Sequence, residues 1–319
     1  MHHDKNNIFL HIGYHKTGTT YLQKEVFSKL KTINYLGRPW REEELRNFFA
    51  DYKYTNDLQF NADETANKFV QIVEKILEDN RFDSSLPVFI SHESLLTGAE
   101  WFGLEVASRA RRLKNTFPNA KLIISFRNQA DFIESNYRNY VIHGGKLSFD
   151  SFLKNSFAGR YAMFPRLYYD QVFELYSDIF GSENIHVYLH EELRGDPEKT
   201  IRELFSFLQV SDQIPVSSSS VNTGVGRFST LVIRYMNYLL AEDFTEQYYR
   251  WTTNSITKRD LLRRRLIKLI RFLHRAKKPN RVMNAEQRTK VQKIYRQSNQ
   301  RLQTLLQKDL RLFSYFPEK

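Results

Sequence analysis

The sequence predicts an α/β fold built around a parallel β-sheet. Short apolar runs alternate with segments of helical periodicity over the N-terminal two thirds of the chain, a pattern typical of successive βαβ units. The 41% hydrophobic residues suffice to bury a sizeable core. From Pro197 onward the pattern is wholly helical. We therefore expect an α/β domain over residues 1–229 and a helical C-terminal extension over 230–319, packed on the same domain.

Five short apolar runs are the predicted strands of this sheet. They cover residues 8–12, 33–36, 87–91, 121–126 and 185–189. Segments of helical periodicity follow or separate them, notably 19–29, 100–115, 128–141, 167–180 and 229–240. A further amphipathic helix is predicted to begin at Pro197, because proline favours the first turn of a helix.

Residues 11–20, HIGYHKTGTT, form the first candidate binding element. A strand, a glycine-containing turn and a helix start together bind anions, because unpaired backbone N–H groups converge at the helix N-terminus. Gly13 permits a tight exit from the strand, and Gly18 lets the backbone approach a phosphate closely. Lys16 adds a positive charge, and two threonines add hydroxyl donors. The segment therefore predicts a phosphate loop.

The spacing in this loop differs from that of a metal-dependent nucleotide-binding loop. A Walker A motif places its lysine after the second glycine, whereas here Lys16 precedes Gly18. The predicted strand 121–126 runs into Arg127 and not into an acidic residue that could hold Mg²⁺. The chain also contains no cysteine, which excludes disulfides and cysteine-based metal sites. We therefore expect an anion site without a metal.

Residues 13–20 resemble the 5′-phosphosulfate loop of sulfotransferases that use 3′-phosphoadenosine-5′-phosphosulfate (PAPS), in its bacterial carbohydrate-type form. The resemblance implies a P-loop-kinase-like three-layer fold with a central parallel sheet of about five strands. It implies PAPS as the sulfonate donor, its product 3′-phosphoadenosine-5′-phosphate (PAP), and Lys16 as the group that stabilises the leaving phosphate. The implied cofactor contacts in the loop are Gly13, His15, Lys16, Thr17, Gly18, Thr19 and Thr20.

A second signature of that family is an arginine after a strand and a serine eight residues later, which grip the 3′-phosphate of the cofactor. Arg127 and Ser135 match this pattern, although Gln129 stands where the family often has proline. A planar guanidinium at a strand end is well suited to bind phosphate. A third contact in the family comes from a late loop, for which 222–227 with Arg227 is the candidate; an ordinary flexible loop is the alternative.

The catalytic base is predicted at the end of the strand 87–91. Glu93 is our first choice and His92 the alternate, since bacterial members similar to this chain carry a Ser-x-Glu cluster here. Glu42–Glu44 lie roughly where glycosaminoglycan sulfotransferases place a catalytic glutamate, but three successive glutamates also suit a solvated helix face. His15 is a further candidate, with a role toward the acceptor or within the loop structure.

Positive charge is concentrated near the C-terminus. The net charge is +12, and residues 258–281 hold eleven Lys or Arg and one acid. Apolar residues recur there with helical spacing, at Leu262, Leu266, Leu269, Ile270 and Leu273, which predicts an amphipathic basic helix. The helix either packs on the domain with a solvated basic face or contacts an anionic membrane or polyanion. No recognised motif favours nucleic acid.

The resemblance implies an enzyme that transfers a sulfonate from PAPS to a hydroxyl or amine of a bacterial saccharide, glycolipid or polysaccharide. A P-loop nucleotide kinase or NTPase, and a non-catalytic polyanion-binding protein, are the alternatives. No run of 18 apolar residues occurs. We therefore expect a cytoplasmic protein, with peripheral contact of the basic helix with the inner membrane as the alternative to a helix that only packs on the domain.

Overall fold

The central sheet of this computed structural model has five parallel strands. Residues 8–38, 40–79, 81–96, 106–158, 167–213, 226–241, 257–273 and 281–317 are described. The strands are β1 (Ile8–His11), β2 (Asn34–Tyr35), β3 (Val88–Ser91), β4 (Lys121–Phe126) and β5 (Ile185–Leu189). Their order is β2-β3-β1-β4-β5, and every neighbouring pair is parallel. The predicted α/β fold is confirmed.

Helices connect these strands and continue to the C-terminal region. They are α1 (Thr19–Tyr21), α2 (Glu43–Tyr54), α3 (Ala62–Leu77), α4 (Val106–Thr116), α5 (Gln129–Ile142), α6 (Phe149–Phe157), α7 (Tyr169–Phe180), α8 (His190–Gly195), α9 (Pro197–Leu208), α10 (Arg227–Leu240), α11 (Lys258–Leu273), α12 (Ala285–Ile294) and α13 (Arg296–Leu306). α1 continues into a π-helical turn, Leu22–Val26, and a 3-10 turn, Phe27–Lys29. None of the helices among the described residues has the length and apolarity needed to cross a membrane.

The chain divides into two compact units. The first comprises Met1–Asn128, Ala162–Ser219 and Arg296–Phe313, and it contains the whole sheet. The second comprises Gln129–Tyr161, Ser220–Tyr295 and Ser314–Lys319, and it is helical. The predicted domain boundary between 229 and 230 falls inside α10 and stays a prediction.

Both faces of the sheet are covered within the first unit, as is typical of parallel sheets. On one face, four strand residues pack in a single cluster with residues of α9 and of the two turns after α1, Leu22–Val26 and Phe27–Lys29. The strand residues are Phe9, Phe89, Ile123 and Tyr188. On the other face, Phe126 stacks on Tyr169 of α7, with ring centroids 4.5 Å apart. β1, β3, β4 and β5 are mostly apolar runs because both of their faces are buried.

The start of α9 shows how local sequence signals define the helices. The Asp196 side chain accepts a hydrogen bond of 2.9 Å from the Lys199 N–H, and Pro197 occupies the first turn. The carboxylate satisfies an N–H group that has no partner inside the helix, and proline has no N–H to satisfy. The predicted helix start at Pro197 is confirmed.

Candidate active site

The loop after β1 remains paired with β4 before it turns away from the sheet. The Ile12 N–H donates to the Ile123 carbonyl at 2.9 Å, and the Tyr14 N–H donates to the Ser125 carbonyl at 3.2 Å. Gly13 lies so close to β4 that an added Cβ would be 1.8 Å from Ser125 Oγ and 2.6 Å from its backbone nitrogen. Only glycine therefore fits at this exit from the strand.

Two residues of the loop have left-handed backbone conformations. The φ angles are 63° at Lys16 and 89° at Gly18. Glycine adopts this conformation freely, whereas a residue with a side chain pays roughly 1–2 kcal/mol. The buried Thr17 hydroxyl donates to the Tyr14 carbonyl at 2.5 Å and shares a 2.6 Å hydrogen bond with Ser125 Oγ. These bonds hold the turn in shape, and the predicted contact of Thr17 with the cofactor stays a prediction.

The helix that follows the loop begins with unsatisfied N–H groups. Gly18 is the N-cap of α1, and its carbonyl accepts from the N–H groups of Tyr21 and Leu22 at 3.0 and 3.2 Å. A glycine has no side chain with which to cap the first turn. The N–H groups of Thr19 and Thr20 precede the first intrahelical donor, so they remain suited to an anion at the positive end of the helix dipole.

Arg127 connects the end of β4 to the loop. Its Nη1 donates to the Lys16 carbonyl at 2.8 Å, across 111 positions of sequence. Its Nε is buried and has no hydrogen-bond partner among the described residues, and the same is true of Nε2 of His15. A buried donor without an acceptor is costly unless a ligand supplies one. Together with the exposed Lys16, these donors fit a phosphorylated ligand.

Glu93 lies beside this loop, in the 3-10 turn Glu93–Leu95 that follows β3. His15 Nδ1 is 3.7 Å from Glu93 Oε1, and Arg38 Nη1 is 3.6 Å from the same oxygen. Gln23 Nε2 donates to the other oxygen, Oε2, at 3.1 Å. The fold thus brings the phosphate loop and the predicted catalytic base together, because β1 and β3 are neighbours and both end at this edge.

A buried hydrogen-bond network supports Glu93 from the sheet. Gln23 Nε2 also donates to Ser91 Oγ at 3.0 Å, and Ser91 Oγ is 2.8 Å from His11 Nδ1. The other ring nitrogen of His11 is 3.2 Å from the Tyr188 hydroxyl. Burial lowers the pKa of His11 to about 4, although the negative charge of Glu93 acts to raise it. His11 is therefore neutral at physiological pH and acts as a structural hydrogen-bonding group.

Glu93 remains ionised although its side chain is only 11% exposed. Burial acts to raise the pKa of Glu93, but the contact with His15 and the charges of His15 and Arg38 outweigh it and lower the pKa. The carboxylate is therefore available as a proton acceptor throughout the neutral range.

His92 is held in an aromatic cage next to Glu93. Its ring lies edge-on to Trp40 and Phe49, with centroid distances of 5.4 and 5.7 Å. Burial, followed by the charge of Arg38, lowers the pKa of His92 to about 3. Its Nδ1 is buried with no hydrogen-bond partner among the described residues. His92 is thus a neutral imidazole at pH 7 and a weak proton acceptor.

The alternative base candidates, Glu42–Glu44, form ion pairs at the start of α2. Their partners, in order, are Arg81 at 3.0 Å, Arg46 at 2.7 Å and Lys75. Glu43 and Glu44 are 75% and 51% exposed, which fits the solvated helix face that three successive glutamates suggest. Glu42 is more buried, with 25% of its side chain exposed.

The other predicted cofactor residues belong to the second unit. Ser135 is half-buried in α5, and Arg227 is the exposed first residue of α10. Residues 222–225 of the predicted late loop lie outside the described residues. The contacts of Ser135 and Arg227 with PAPS stay predictions.

Three residues of this site were missed from the sequence: Gln23, Arg38 and His190. Arg38 follows β2 and His190 follows β5, so both lie at the carboxyl edge of the sheet, where open α/β folds bind ligands. His190 Nδ1 is 3.5 Å from the position of a Cβ added to Gly18, so it flanks the loop. Arg38 and His190 could have been predicted from the sequence, because each comes shortly after a predicted strand. Gln23 lies in the helical segment after the loop, and its position in the sequence did not indicate a role in the site.

A five-stranded parallel sheet and a phosphate loop at its carboxyl edge define an α/β protein of the P-loop class that binds a phosphorylated ligand. Residues 6–305 match the sulfotransferase domain family, and the chain belongs to that family. It is therefore a PAPS-dependent sulfotransferase, as its loop predicts. The family assignment decides against the nucleotide kinase and the non-catalytic polyanion binder.

A solved structure with a TM-score above 0.5 shares this fold at low sequence identity, and two others have lower TM-scores. A sulfotransferase from Alicyclobacillus acidocaldarius is 19% identical, with a TM-score of 0.57 over 96% of this chain and 97% of the other. Mouse sulfotransferase SULT7A1 complexed with PAP is 15% identical over 67% of this chain and 62% of the other, with a TM-score of 0.37. The sulfotransferase domain from the curacin biosynthetic pathway is 16% identical over 65% and 75%, with the same TM-score of 0.37. No curated protein matches the sequence.

Proposed function

We propose that this sulfotransferase transfers the sulfonate of PAPS to a hydroxyl or amine of a bacterial saccharide, glycolipid or polysaccharide, with Glu93 as the base. The observation that carries this proposal is the contact between Glu93 and His15 of the phosphate loop, at 3.7 Å. It places a carboxylate, which can accept a proton, beside the groups that would hold the sulfonate donor.

On the donor side, the loop residues from Gly13 to Thr20 hold the 5′-phosphosulfate, and Arg127 and Ser135 hold the 3′-phosphate, with Arg227 as a third contact. When bound, PAPS supplies a sulfonate on a good phosphate leaving group. Lys16 and the first N–H groups of α1 stabilise the negative charge that grows on the bridging oxygen as its bond to sulfur breaks. This chemistry requires cations and N–H donors, and we propose that it proceeds without a metal.

On the acceptor side, Glu93 accepts the proton of the attacking hydroxyl or amine while the new bond to sulfur forms. The products are the sulfated acceptor, PAP and one proton. Gln23 and Arg38 hold the carboxylate in place during this step. His92 is the alternate base, but aromatic rings enclose it, whereas Glu93 directly contacts the loop.

The chain contains no cysteine, a composition compatible with a reducing compartment. We propose that it acts in the cytoplasm, where it would meet the acceptor before export or at the inner face of the membrane. Sulfation at the membrane surface suits a glycolipid acceptor.

Thermal unfolding with PAP tests the donor site. PAP at about 100 times its Kd stabilises a specific site by about 2.7 kcal/mol, so we expect the unfolding midpoint to rise by several degrees. Arg127→Ala should weaken PAP binding by about tenfold or more, because it removes charge-assisted hydrogen bonds to phosphate. Arg46→Ala, which removes an exposed cation on α2, is the matched control. Equal stabilisation of all three proteins would contradict the assignment of Arg127.

Transfer of radiolabelled sulfonate from PAPS to a panel of saccharides tests the base. Glu93→Gln should lower kcat by about 10²–10⁴ and leave PAP affinity unchanged, since a positioned base contributes about that much. Glu44→Gln removes an exposed carboxylate and should retain full turnover. If Glu93→Gln is as active as the wild type, the base is another residue, and His92→Ala and Glu42→Gln are the next variants.

A further inference from the structure

Helix α10 packs on its unit through its polar face and exposes its apolar face. Ser229, Thr230, Ile233 and Asn237 are buried, and the Asn237 amide donates to the carbonyls of Val141 and Gly145 at 2.7 and 2.9 Å. The exposed apolar residues recur at helical spacing and form a surface that we call the α10 stripe. It consists of Phe228 (65% exposed), Leu231 (37%), Val232 (36%), Tyr235 (63%), Tyr238 (60%) and Leu239 (77%). Such a stripe normally faces a core.

Helix α11, which packs against α10, shows the same inversion. It buries Arg263 and Ile267, and Arg263 donates to the Ile142 carbonyl at 2.8 Å. The apolar residues that it exposes are Leu261, Leu262, Leu269, Phe272 and Leu273, by 44, 49, 52, 72 and 66%. Three of these, Leu262, Leu269 and Leu273, belong to the apolar face that the sequence pattern would place against the protein. They face solvent instead.

Exposed positive charge accompanies this apolar surface. Lys258, Arg259, Arg265, Lys268 and Arg271 of α11 are exposed, and within the described part of the chain no carboxylate forms an ion pair with any of them. Arg264 is paired with Asp260 at 2.6 Å. The surface is therefore both apolar and cationic.

We propose that the exposed faces of α10 and α11 form a docking surface for an anionic phospholipid membrane. The acyl region accepts leucine and aromatic side chains, and the phosphate headgroups neutralise lysine and arginine. A second copy of the chain would bring like charges together at this surface, and a nucleic acid would leave the apolar stripe in water. Anionic lipid satisfies both features at once.

This surface belongs to the second unit and does not depend on the assigned roles of the residues in the phosphate loop. It goes beyond the sulfonate transfer reaction, because it concerns where the enzyme works. Membrane attachment would concentrate the enzyme on the same surface as a lipid-linked acceptor.

Co-sedimentation of the full chain with vesicles tests the proposal. We expect binding to vesicles of phosphatidylcholine with phosphatidylglycerol, weaker binding at high salt, and little binding to phosphatidylcholine alone. The double variants Tyr235→Ser/Leu239→Ser and Lys268→Glu/Arg271→Glu should each lower the partition coefficient by about tenfold or more.

Matched variants in the first unit serve as controls. Leu58→Ser/Leu312→Ser removes two apolar residues that are 95% and 76% exposed, and Lys29→Glu/Lys199→Glu reverses two exposed charges. Both should bind vesicles like the wild type, and all four variants should keep the thermal stabilisation by PAP, which shows that they fold. Unchanged binding by both α10 and α11 variants would overturn the proposal. So would a dimer in light scattering that Tyr235→Ser/Leu239→Ser dissociates while vesicle binding is absent.

Discussion

Gln23 joins the phosphate-loop segment to Glu93, the proposed base, through a single side-chain amide. The amide nitrogen donates to Ser91 Oγ at 3.0 Å and to Glu93 Oε2 at 3.1 Å, and the residue is 5% exposed. A neutral donor orients the carboxylate without adding charge, whereas Arg38 contributes a full charge. We infer that Gln23 is a positioning residue for Glu93.

Replacing Gln23 by alanine should lower kcat by about tenfold and leave the KM for PAPS unchanged, because a base that is no longer oriented loses much of its effect. Gln71→Ala, at an exposed site on α3, is the control. A variant whose kcat is unchanged and whose KM for PAPS rises would indicate a role in donor binding instead.

The junction between β1 and the phosphate loop depends on close contact between two backbones. An alanine at Gly13 would place its Cβ 2.6 Å from the Ser125 backbone nitrogen, and no side-chain rotation can relieve that contact. Since two hydrogen bonds hold this part of the loop against β4, the loop would have to separate from the strand.

We expect Gly13→Ala to destabilise the protein by about 2 kcal/mol or more in urea unfolding and to abolish stabilisation by PAP. The control is Gly195→Ala in α8, where an added Cβ meets no atom within 4 Å. That substitution should be neutral or slightly stabilising, because alanine favours a helix over glycine. Equal stabilities of the two variants would show that the β1–β4 contact is not tight.

The helical segment after the loop changes its pitch in the middle. Residues Leu22–Val26 form a π-helical turn between α1 and a 3-10 turn. Leu22, Val26 and Phe27 reach the core, and Gln23 reaches Ser91 and Glu93. Single π-helical turns are common at functional sites. Here the turn orients a polar residue toward the site while its apolar neighbours stay buried.

Acid sensitivity is a property of the whole molecule, because buried neutral histidines lie on several strands and loops. Burial lowers the pKa of His11 to about 4, of His92 to about 3, and of His186, with help from the charge of Lys308, to about 4. Each is neutral in the folded state and takes up a proton more readily when unfolded, where its ordinary pKa is about 6.5. Their contribution to the free energy of unfolding is complete above the unfolded-state pKa of about 6.5. It is lost as the pH falls toward the folded-state pKa values of about 4 and 3.

Below pH 6 the free energy of unfolding should therefore fall by about 1.4 kcal/mol per pH unit for each of these histidines. Urea unfolding at pH 7, 6 and 5 measures the slope. His186→Gln should reduce the slope by about one third, because it removes one of the three histidines. A free energy of unfolding that is the same at pH 7 and pH 5 would contradict these lowered pKa values.

The C-terminal part of the chain contributes to both compact units. Residues 296–313 belong to the first, where α13 packs on α7 and Lys308 Nζ lies 2.7 Å from Glu192 Oε2. Residues 220–295 belong to the second unit. The helical C-terminal region is therefore not one unit. Residues 220–295 pack within the second unit, and residues 296–313 pack within the first.

The sequence by itself determined the sheet and the phosphate loop. β1, β3, β4 and β5 are short, mostly apolar runs, and such runs can be identified in the sequence without knowing which strands they pair with. The order of glycine, lysine and threonine in residues 13–20 predicted the class of ligand, because those residues act through local backbone geometry.

Only the tertiary structure decided the surroundings of Glu93 and the orientation of α10 and α11. His11 and Ser91 are 80 positions apart and Gln23 and Glu93 are 70 apart, so they meet only when β1 pairs with β3. An amphipathic pattern shows that a helix has two faces but does not show which face packs on the protein. That choice depends on polar contacts such as those of Asn237 and Arg263, which bond to carbonyls far away in the sequence.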